Sequence, residues 1–384
     1  MKPLAVTGLG ICSSLGIGRE AFLRAMKSPP ASTVSTKITS FDATKYTQAR
    51  IAEVVDFDPT RYLGGKGLRT LDRLTKLLIV AARLALHDAG FKKDNAWARS
   101  TPEQVGLICS NAYGSLEAIT ELDRVATLED ARYINPAKFP NTVSNSAAGY
   151  VSIWEELRAI NVSVSDGNCG GLDAVACGEI FLETGRAEAL LIGGAEAMSE
   201  ALYVAFSRLG ALDAQTPIGE GAALLVTEVA ERVAARGDRS MGELVGYGTA
   251  FVAPALERPL LHASQTAMER AVTDALADAE VKASDIDVVA SGVSGLEAFD
   301  DAELAAIAKV LGDDACVAAP KALFGETLGA CGAMGLAAGI AWLDGAPPTP
   351  LVRGALRSRV RNVLVTTMGF YGNASAVVLR AGTN

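Results

Sequence analysis

Apolar residues in this chain fall into two kinds of run: short unbroken blocks closed by glycine, and longer stretches with an apolar position every three or four residues. The blocks predict buried strands and the periodic stretches predict helices with one face on a core. Leu4 to Thr7 is one such block, ended by Gly8-Leu9-Gly10, and further strands are predicted at 105–110, 162–165, 189–194 and 222–227. Helices are predicted at 71–90, with Gly90 as C-cap, and at 147–157 and 172–185.

From about Gly242 the alternation begins again, with strands predicted at 244–247, 286–290, 363–367 and 374–379 and helices at 264–280 and 329–343. Two stretches look like counterparts, VGLICSNAYGS at 105–115 and IDVVASGVSGL at 286–296. A strand–helix order that occurs twice predicts an α/β protein of two related halves, residues 1–240 and 241–384, each a sheet covered by helices. Stacked, such halves form a five-layer αβαβα sandwich with the functional site where they meet.

Composition narrows the class. The 384 residues are 49% hydrophobic and 21% charged, an ordinary globular balance. The net charge is −9 and no run of lysine or arginine forms a stripe, which argues against nucleic acid as a partner. The start, MKPLAVTGLG, enters a strand pattern without a signal-peptide core, and no apolar stretch reaches membrane-spanning length. The expectation is a cytoplasmic protein with no membrane partner. Six scattered cysteines (Cys12, Cys109, Cys169, Cys177, Cys316 and Cys331) form no C-x-x-C pair and read as free thiols. GLGICSSLG lacks the spacing of a dinucleotide loop, and no acidic residue follows at the right distance, so no cofactor is expected. No metal site is expected either.

Cys169 stands out by position. A strand ending at Ser165 runs into Asp166-Gly167-Asn168-Cys169-Gly170-Gly171, and a predicted helix follows. Unpaired N–H groups and the helix dipole at such a place lower a thiol's pKa, and flanking glycines admit a substrate carbonyl to the backbone. A small buried hydrophobe at a turn is the other reading. Local context leaves both open.

The stretch SVSDGNCGGLDAVACGEIFLETGRAEALLIGGAEA resembles the surroundings of the nucleophilic cysteine in β-ketoacyl synthases. Other landmarks follow in that family's order: VTGLGICSSLG, YLGGKGLRTLDRLTKLLIVAARLALHDAG, PNTVSNSAAGYVSI, GEGAALLV, IDVVASGVSG, PKALFGETLGACGAMG and MGFYGNASAVVLR. The chain is identified on these as a divergent member, similar to the ketosynthase and chain-length-factor proteins of type II polyketide systems. The resemblance implies the thiolase fold and a dimer. It makes Cys169 the acyl-accepting nucleophile, with its own N–H and that of Phe370 forming the oxyanion hole. Lys321 matches the lysine before the family's second histidine motif, and Asp300 and Glu303 match an acidic pair after the first.

Two departures bear on the reaction. Ser291 stands where the resemblance implies the first catalytic histidine, and Glu326 where it implies the second. The chain's only histidines, His87 and His262, match neither position and read as surface or packing residues. After Ala211 to Pro217 the chain passes directly to Gly219-Glu220-Gly221, without a stretch that the family carries there. Ser291 keeps one hydrogen bond to donate. An ionised Glu326 would repel a malonyl carboxylate by about 4 kcal/mol at ~4 Å, on the order of a thousandfold in rate. Glu326 has three readings: a protonated donor, a general base, or a partner of Lys321 that holds the loop. Cys331, in the same loop, reads as packing.

Three functions follow from the resemblance. The first is an acyltransferase loading an acyl group from an acyl carrier protein onto Cys169, in fatty acid or polyketide biosynthesis, with Glu326, Ser291 and Lys321 in altered roles. The second is a non-catalytic chain-length-factor-like subunit paired with an intact ketosynthase. The third is a stand-alone synthase with a rearranged mechanism. The partners implied are an acyl carrier protein and a second subunit, in a homodimer or a heterodimer with an intact ketosynthase.

Overall fold

The computed structural model describes residues 1–35, 37–46, 49–210, 216–255 and 261–382. Five strands of the first half are β1 (Leu4–Ser13), β2 (Val105–Ser110), β3 (Asn161–Val164), β4 (Ala189–Glu196) and β5 (Gly221–Val229), in the order β3-β2-β4-β5-β1. The second half holds β6 (Gly242–Phe251), β7 (Val288–Ala290), β8 (Val317–Ala318), β9 (Leu351–Arg353), β10 (Asn362–Met368) and β11 (Asn373–Arg380), in the order β9-β8-β7-β10-β11-β6.

The strand senses repeat. From β1 inward the pairings run antiparallel, antiparallel, parallel, parallel. From β6 inward they run the same way. The stretches at 105–115 and 286–296 thus supply β2 and β7, which hold the same place in the two halves. The half-sheets are also joined edge to edge, because Leu4–Val6 of β1 pairs antiparallel with Gly242–Leu244 of β6.

Side-chain alternation sorts the layers. On β2, Val105, Leu107 and Cys109 pack outward with helices α1 (Arg73–Asp88) and α2 (Ser146–Glu155), while Ile108 points into the middle. On β10, Leu364 packs with the outer helices α5 (Gln265–Asp278) and α6 (Glu297–Leu311), while Val363 and Val365 point inward. Between the sheets lie α3 (Gly170–Glu183) and α7 (Cys331–Leu343); a further helix, α4 (Glu200–Arg208), follows β4. Every residue of α7 is buried, which is why CGAMGLAAGIAWL is apolar on all faces. The result is the five-layer αβαβα sandwich of the thiolase fold.

The structure corrects one local expectation. Gly8 and Gly10 do not end the first strand, which continues to Ser13. They let α1 lie directly on it: a Cβ on Gly10 would meet the Ala81 carbonyl at 1.8 Å. Gly248 of β6 does the same for α5, where a Cβ would meet the Ala271 carbonyl at 2.1 Å. The helices at Leu116–Val125, Glu200–Arg208 and Glu297–Leu311 were not anticipated from periodicity.

The two middle helices touch at their N-terminal ends, at Gly171 and Gly332. A Cβ on Gly171 would lie 2.8 Å from the Ala333 backbone nitrogen. Gly171→Ala is therefore expected to push the helix starts apart and lower stability by about 1–3 kcal/mol, read as a fall in the urea midpoint.

Candidate functional site

The Cys169 turn, the loop before α7 and the β10–β11 hairpin meet at the junction of the halves. Cys169 is fully buried at the end of a 3₁₀ turn, Gly167–Cys169, that leads into α3. Its N–H donates to the Asp166 carbonyl at 3.1 Å, and the Gly170 N–H donates to the Gly167 carbonyl. The N–H groups expected to stabilise a thiolate are thus already used by the turn. The thiol donates to the Thr367 carbonyl at 3.6 Å. Burial pushes the Cys169 thiol up and the carboxylates of Asp173 and Asp166 push it further, while hydrogen bonds with the Thr367 and Ser375 side chains oppose the rise. A helix N-terminus helps a thiolate only through N–H groups that are free, and those of Cys169 and Gly170 are bonded within the turn.

Phe370 lies in the hairpin that closes over this turn. Its carbonyl accepts the His262 N–H at 2.7 Å, whereas no hydrogen bond from the Phe370 N–H occurs among the described residues. Asn373 of the same hairpin donates to the Asp166 carbonyl at 3.5 Å, tying hairpin and turn together. The Phe370 ring continues a file of aromatics, 5.9 Å from Phe206 and 5.5 Å from Phe299, and Phe206 is 6.0 Å from Tyr113. His262 is half-buried against this hairpin by backbone contacts, while His87 is exposed at the end of α1.

Ser291 is buried at the end of β7. Its hydroxyl donates to the Ala318 carbonyl at 2.8 Å and its N–H to the same oxygen at 3.0 Å. The one proton it was expected to offer a substrate is committed to the backbone. The loop that follows is held by carboxylates: Glu303 accepts from the Gly292 N–H and the Thr366 hydroxyl, and Asp300 accepts from the Ser294 and Gly295 N–H groups.

Glu326 pairs with Lys321, Nζ to Oε2 at 2.6 Å, and its other oxygen accepts the Leu328 N–H at 2.8 Å. Both bonds are donated to it, one by an ammonium, which is the pattern of a carboxylate. Lys321 is 4% exposed; burial pulls its pKa down, but Glu326 overrides this and the net shift is upward. The Glu326 backbone bonds Pro217 and Gly219, and the preceding Gly325 has φ 85°, a left-handed turn that glycine makes without strain. Residues Ala211 to Gln215, where the shortened stretch begins, lie outside the described residues. Cys331, the first residue of α7, donates to the Asn168 carbonyl at 3.2 Å, and burial pushes its thiol up to about 12 although Lys321 draws it down. Lys321 and Glu326 thus act on Cys331 electrostatically, while the charges that act on Cys169 are acidic.

Sequence reasoning missed two site carboxylates. Glu196, in the quoted GGAE, is fully buried and accepts from Ala112, Tyr113 and Gly329, clamping loops of both halves. Asp173, one turn after Cys169, accepts from the Tyr247 hydroxyl at 2.8 Å and the Ser375 hydroxyl at 2.6 Å. An acidic residue at i+4 from the cysteine on a predicted helix was the available signal; its partners lie too far along the chain to be read. Around the junction, buried polar atoms of Ser110, Asn111, Asn168, Thr327 and Thr367 have no protein partner, so its interior has unused hydrogen-bonding capacity. Among the described residues no group of His, Cys, Asp or Glu is placed to hold a metal ion, and no helix is long and apolar enough to cross a membrane.

A thiolase-fold sandwich with a cysteine at the start of a buried middle helix defines a class of acyl-thioester proteins. Residues 1–225 match the family model "Beta-ketoacyl synthase, N-terminal domain", and residues 241–349 match "Beta-ketoacyl synthase, C-terminal domain". The chain belongs to the β-ketoacyl synthase family. It is 28% identical to the 3-oxoacyl-[acyl-carrier-protein] synthase 2 of Vibrio harveyi, covering 87% of this chain and 84% of that protein. It is 30% identical to the tetracenomycin polyketide synthase ketoacyl synthase alpha subunit of Streptomyces glaucescens, covering 98% and 97%, in an alignment of 426 positions that exceeds this chain's own length. Among solved structures, the ishigamide ketosynthase/chain length factor superposes with TM-score 0.87 at 25% identity over 99% of both chains. A β-ketoacyl synthase from Burkholderia phymatum superposes with TM-score 0.85 at 24% identity, over 99% of this chain and 100% of that one.

Two predictions follow from the buried charges. Lys321→Met leaves the Glu326 charge buried without its partner and is expected to cost about 3–5 kcal/mol by urea denaturation; adding Glu326→Gln should recover most of it. Burial pushes Glu303 from 4.5 up to about 7, and Glu196 likewise. A raised carboxyl keeps its proton in the fold where the unfolded chain has lost it. Its stabilising contribution is full below pH ~4.5 and is lost as pH rises through about 7, on the order of 3 kcal/mol per group. Glu303→Gln should flatten the fall in stability between those pH values; an unchanged slope would exclude Glu303 as its source.

Proposed function

We propose that this chain is a chain-length-factor-like subunit that pairs with an intact ketosynthase in fatty acid or polyketide synthesis and performs no condensation alone. The observation that carries the reading is the setting of Cys169: its thiol donates to the Thr367 carbonyl, burial and the Asp173 and Asp166 carboxylates push its pKa up against the Thr367 and Ser375 side chains, and among the described residues no cationic or imidazole group is hydrogen-bonded to it. An acyl-accepting cysteine needs a group that takes its proton or steadies its thiolate. The positions matched to the family's histidines support the same reading. Ser291 is tied to Ala318, and Glu326 is a carboxylate tied to Lys321, so neither supplies the N–H donors that steady an enolate. Lys321 and Glu326 then act as a structural pair that holds the loop before α7.

The similarity to the ishigamide ketosynthase/chain length factor supports a heterodimer over a homodimer, with the acyl carrier protein serving the catalytic partner. A second reading, acyl transfer onto Cys169, is favoured by one observation: among the described residues the Phe370 N–H makes no hydrogen bond, which suits an oxyanion hole.

The deciding experiment incubates the protein with acyl- and malonyl-loaded carrier protein, alone and with a co-expressed intact ketosynthase. The expected result is no acyl adduct by intact mass, no condensation product from this chain alone, and product only from the pair. Cys169→Ala should support the pair as well as the native chain does. An acyl adduct that forms on the native chain and vanishes in Cys169→Ala would overturn the proposal in favour of transfer.

A further inference from the structure

Arg19, Arg359 and Arg361 line one cavity of about 580 Å³ at the far end of the middle layer. Its floor is apolar: Leu23 of the helix Arg19–Lys27, Met241 before β6, Ile340 and Leu343 of α7, and Val360 before β10. α7 runs for 13 residues from Cys331 to Leu343, so the cavity lies roughly 20 Å along that helix from the Cys169 junction. The fold fixes the cations. Arg19 spans both oxygens of Asp88 through Nη1 alone, at 2.9 and 3.1 Å, which leaves its other N–H groups over. Arg359 and Arg361 flank Val360, which is 4% exposed. Asp287 anchors that segment by accepting the Arg361 and Asn362 N–H groups at 2.7 and 2.9 Å, and the Arg361 carbonyl accepts the Ala381 N–H at 2.7 Å.

The negative groups at the cavity are already engaged. Asp344 is on its lining and pairs with Lys27 at 2.7 Å. The carbonyls of Ile340, Ala341 and Trp342 at the negative end of α7 accept the N–H groups of Asp344, Ala346 and Gly345. Asp88 balances Arg19, whereas the guanidinium groups of Arg359 and Arg361 have no partner among the described residues. In a chain of net charge −9, two unmatched guanidinium groups thus stand beside an apolar floor.

We propose that this cavity binds an amphipathic anion, with a carboxylate or phosphate head between Arg359 and Arg361 and an aliphatic body on the apolar floor. Guanidinium forks match the oxygens of either head, and the volume is that of a small-molecule site. The site involves neither Cys169 nor a partner subunit, so it stands apart from the reading of a silent subunit.

Calorimetric titration of the full-length protein with octanoate and with octyl phosphate tests the site, and the tighter of the two identifies the head group. Octan-1-ol supplies the body without the charge, and inorganic phosphate the charge without the body. One saturable event per chain is expected for an anionic amphiphile, with octanol and inorganic phosphate each weaker by about tenfold or more. Arg359→Gln and Arg361→Gln should each weaken the amphiphile about tenfold or more. Both side chains are exposed, so the variants should keep the native urea midpoint. Arg270→Gln, at an exposed arginine off the cavity lining, should bind as the native chain does.

No saturable event with either amphiphile would overturn the proposal, as would octanol binding as tightly as the anions. Amphiphile binding that survives the paired Arg359→Gln and Arg361→Gln substitutions undiminished would put the ligand elsewhere and sink it. Equal weakening in Arg270→Gln would reduce the effect to general charge attraction and count against the site.

Discussion

The close approach of two buried helices, α3 and α7, is the constraint on which the rest of this molecule depends. Both lie between the sheets, and their N-terminal ends meet at Gly171 and Gly332 with no room for a side chain. Ordinary helix packing keeps axes about 8–10 Å apart, and only glycine allows backbones nearer than side chains would. This contact brings the Cys169 turn to the loop of Glu326 and Cys331. Glu196 then fixes the junction, because its buried carboxylate accepts N–H groups from loops of both halves.

What gathers at that junction is acidic and accepting. Asp166, Asp173, Glu196, Glu303 and Glu326 all sit there, and the buried ammonium of Lys321 is bound to Glu326. Burial raises carboxyl pKa values because a dry interior penalises charge, and hydrogen-bond donors oppose it. Glu303 and Glu196 are pushed up to about 7 in this way. A site of this character holds loops firmly and treats a thiol as a donor.

Much of the fold was legible from pattern. The strand–helix order recurs along the chain as the strand senses recur in the sheet, and 329–343 read as a helix, though not as one buried on every side. Particular errors have physical causes. Gly8 and Gly10 read as a turn because glycine usually breaks a run, yet here they are strand residues beneath α1. α6 was missed because its acidic first turn, Glu297 and Asp300, hides the apolar face. The placement of Cys169 at a helix start was read correctly, but the backbone bonding of its turn was not. A 3₁₀ turn uses the N–H groups that a simple helix start leaves free, and that depends on backbone geometry that residue types do not specify.

The sequence alone determined the family, through the order of its motifs, and with it the layered architecture. It also determined where the thiol lies along the chain. Those properties are local or periodic, so they can be read along the chain. The tertiary structure decided what surrounds the thiol. Thr367 is 198 residues from Cys169, and Ser375 is 202 from Asp173. A thiol's reactivity is set by the donors, acceptors and charges within a few ångströms of its sulfur. Only the folding of the second half against the first brings those groups into contact.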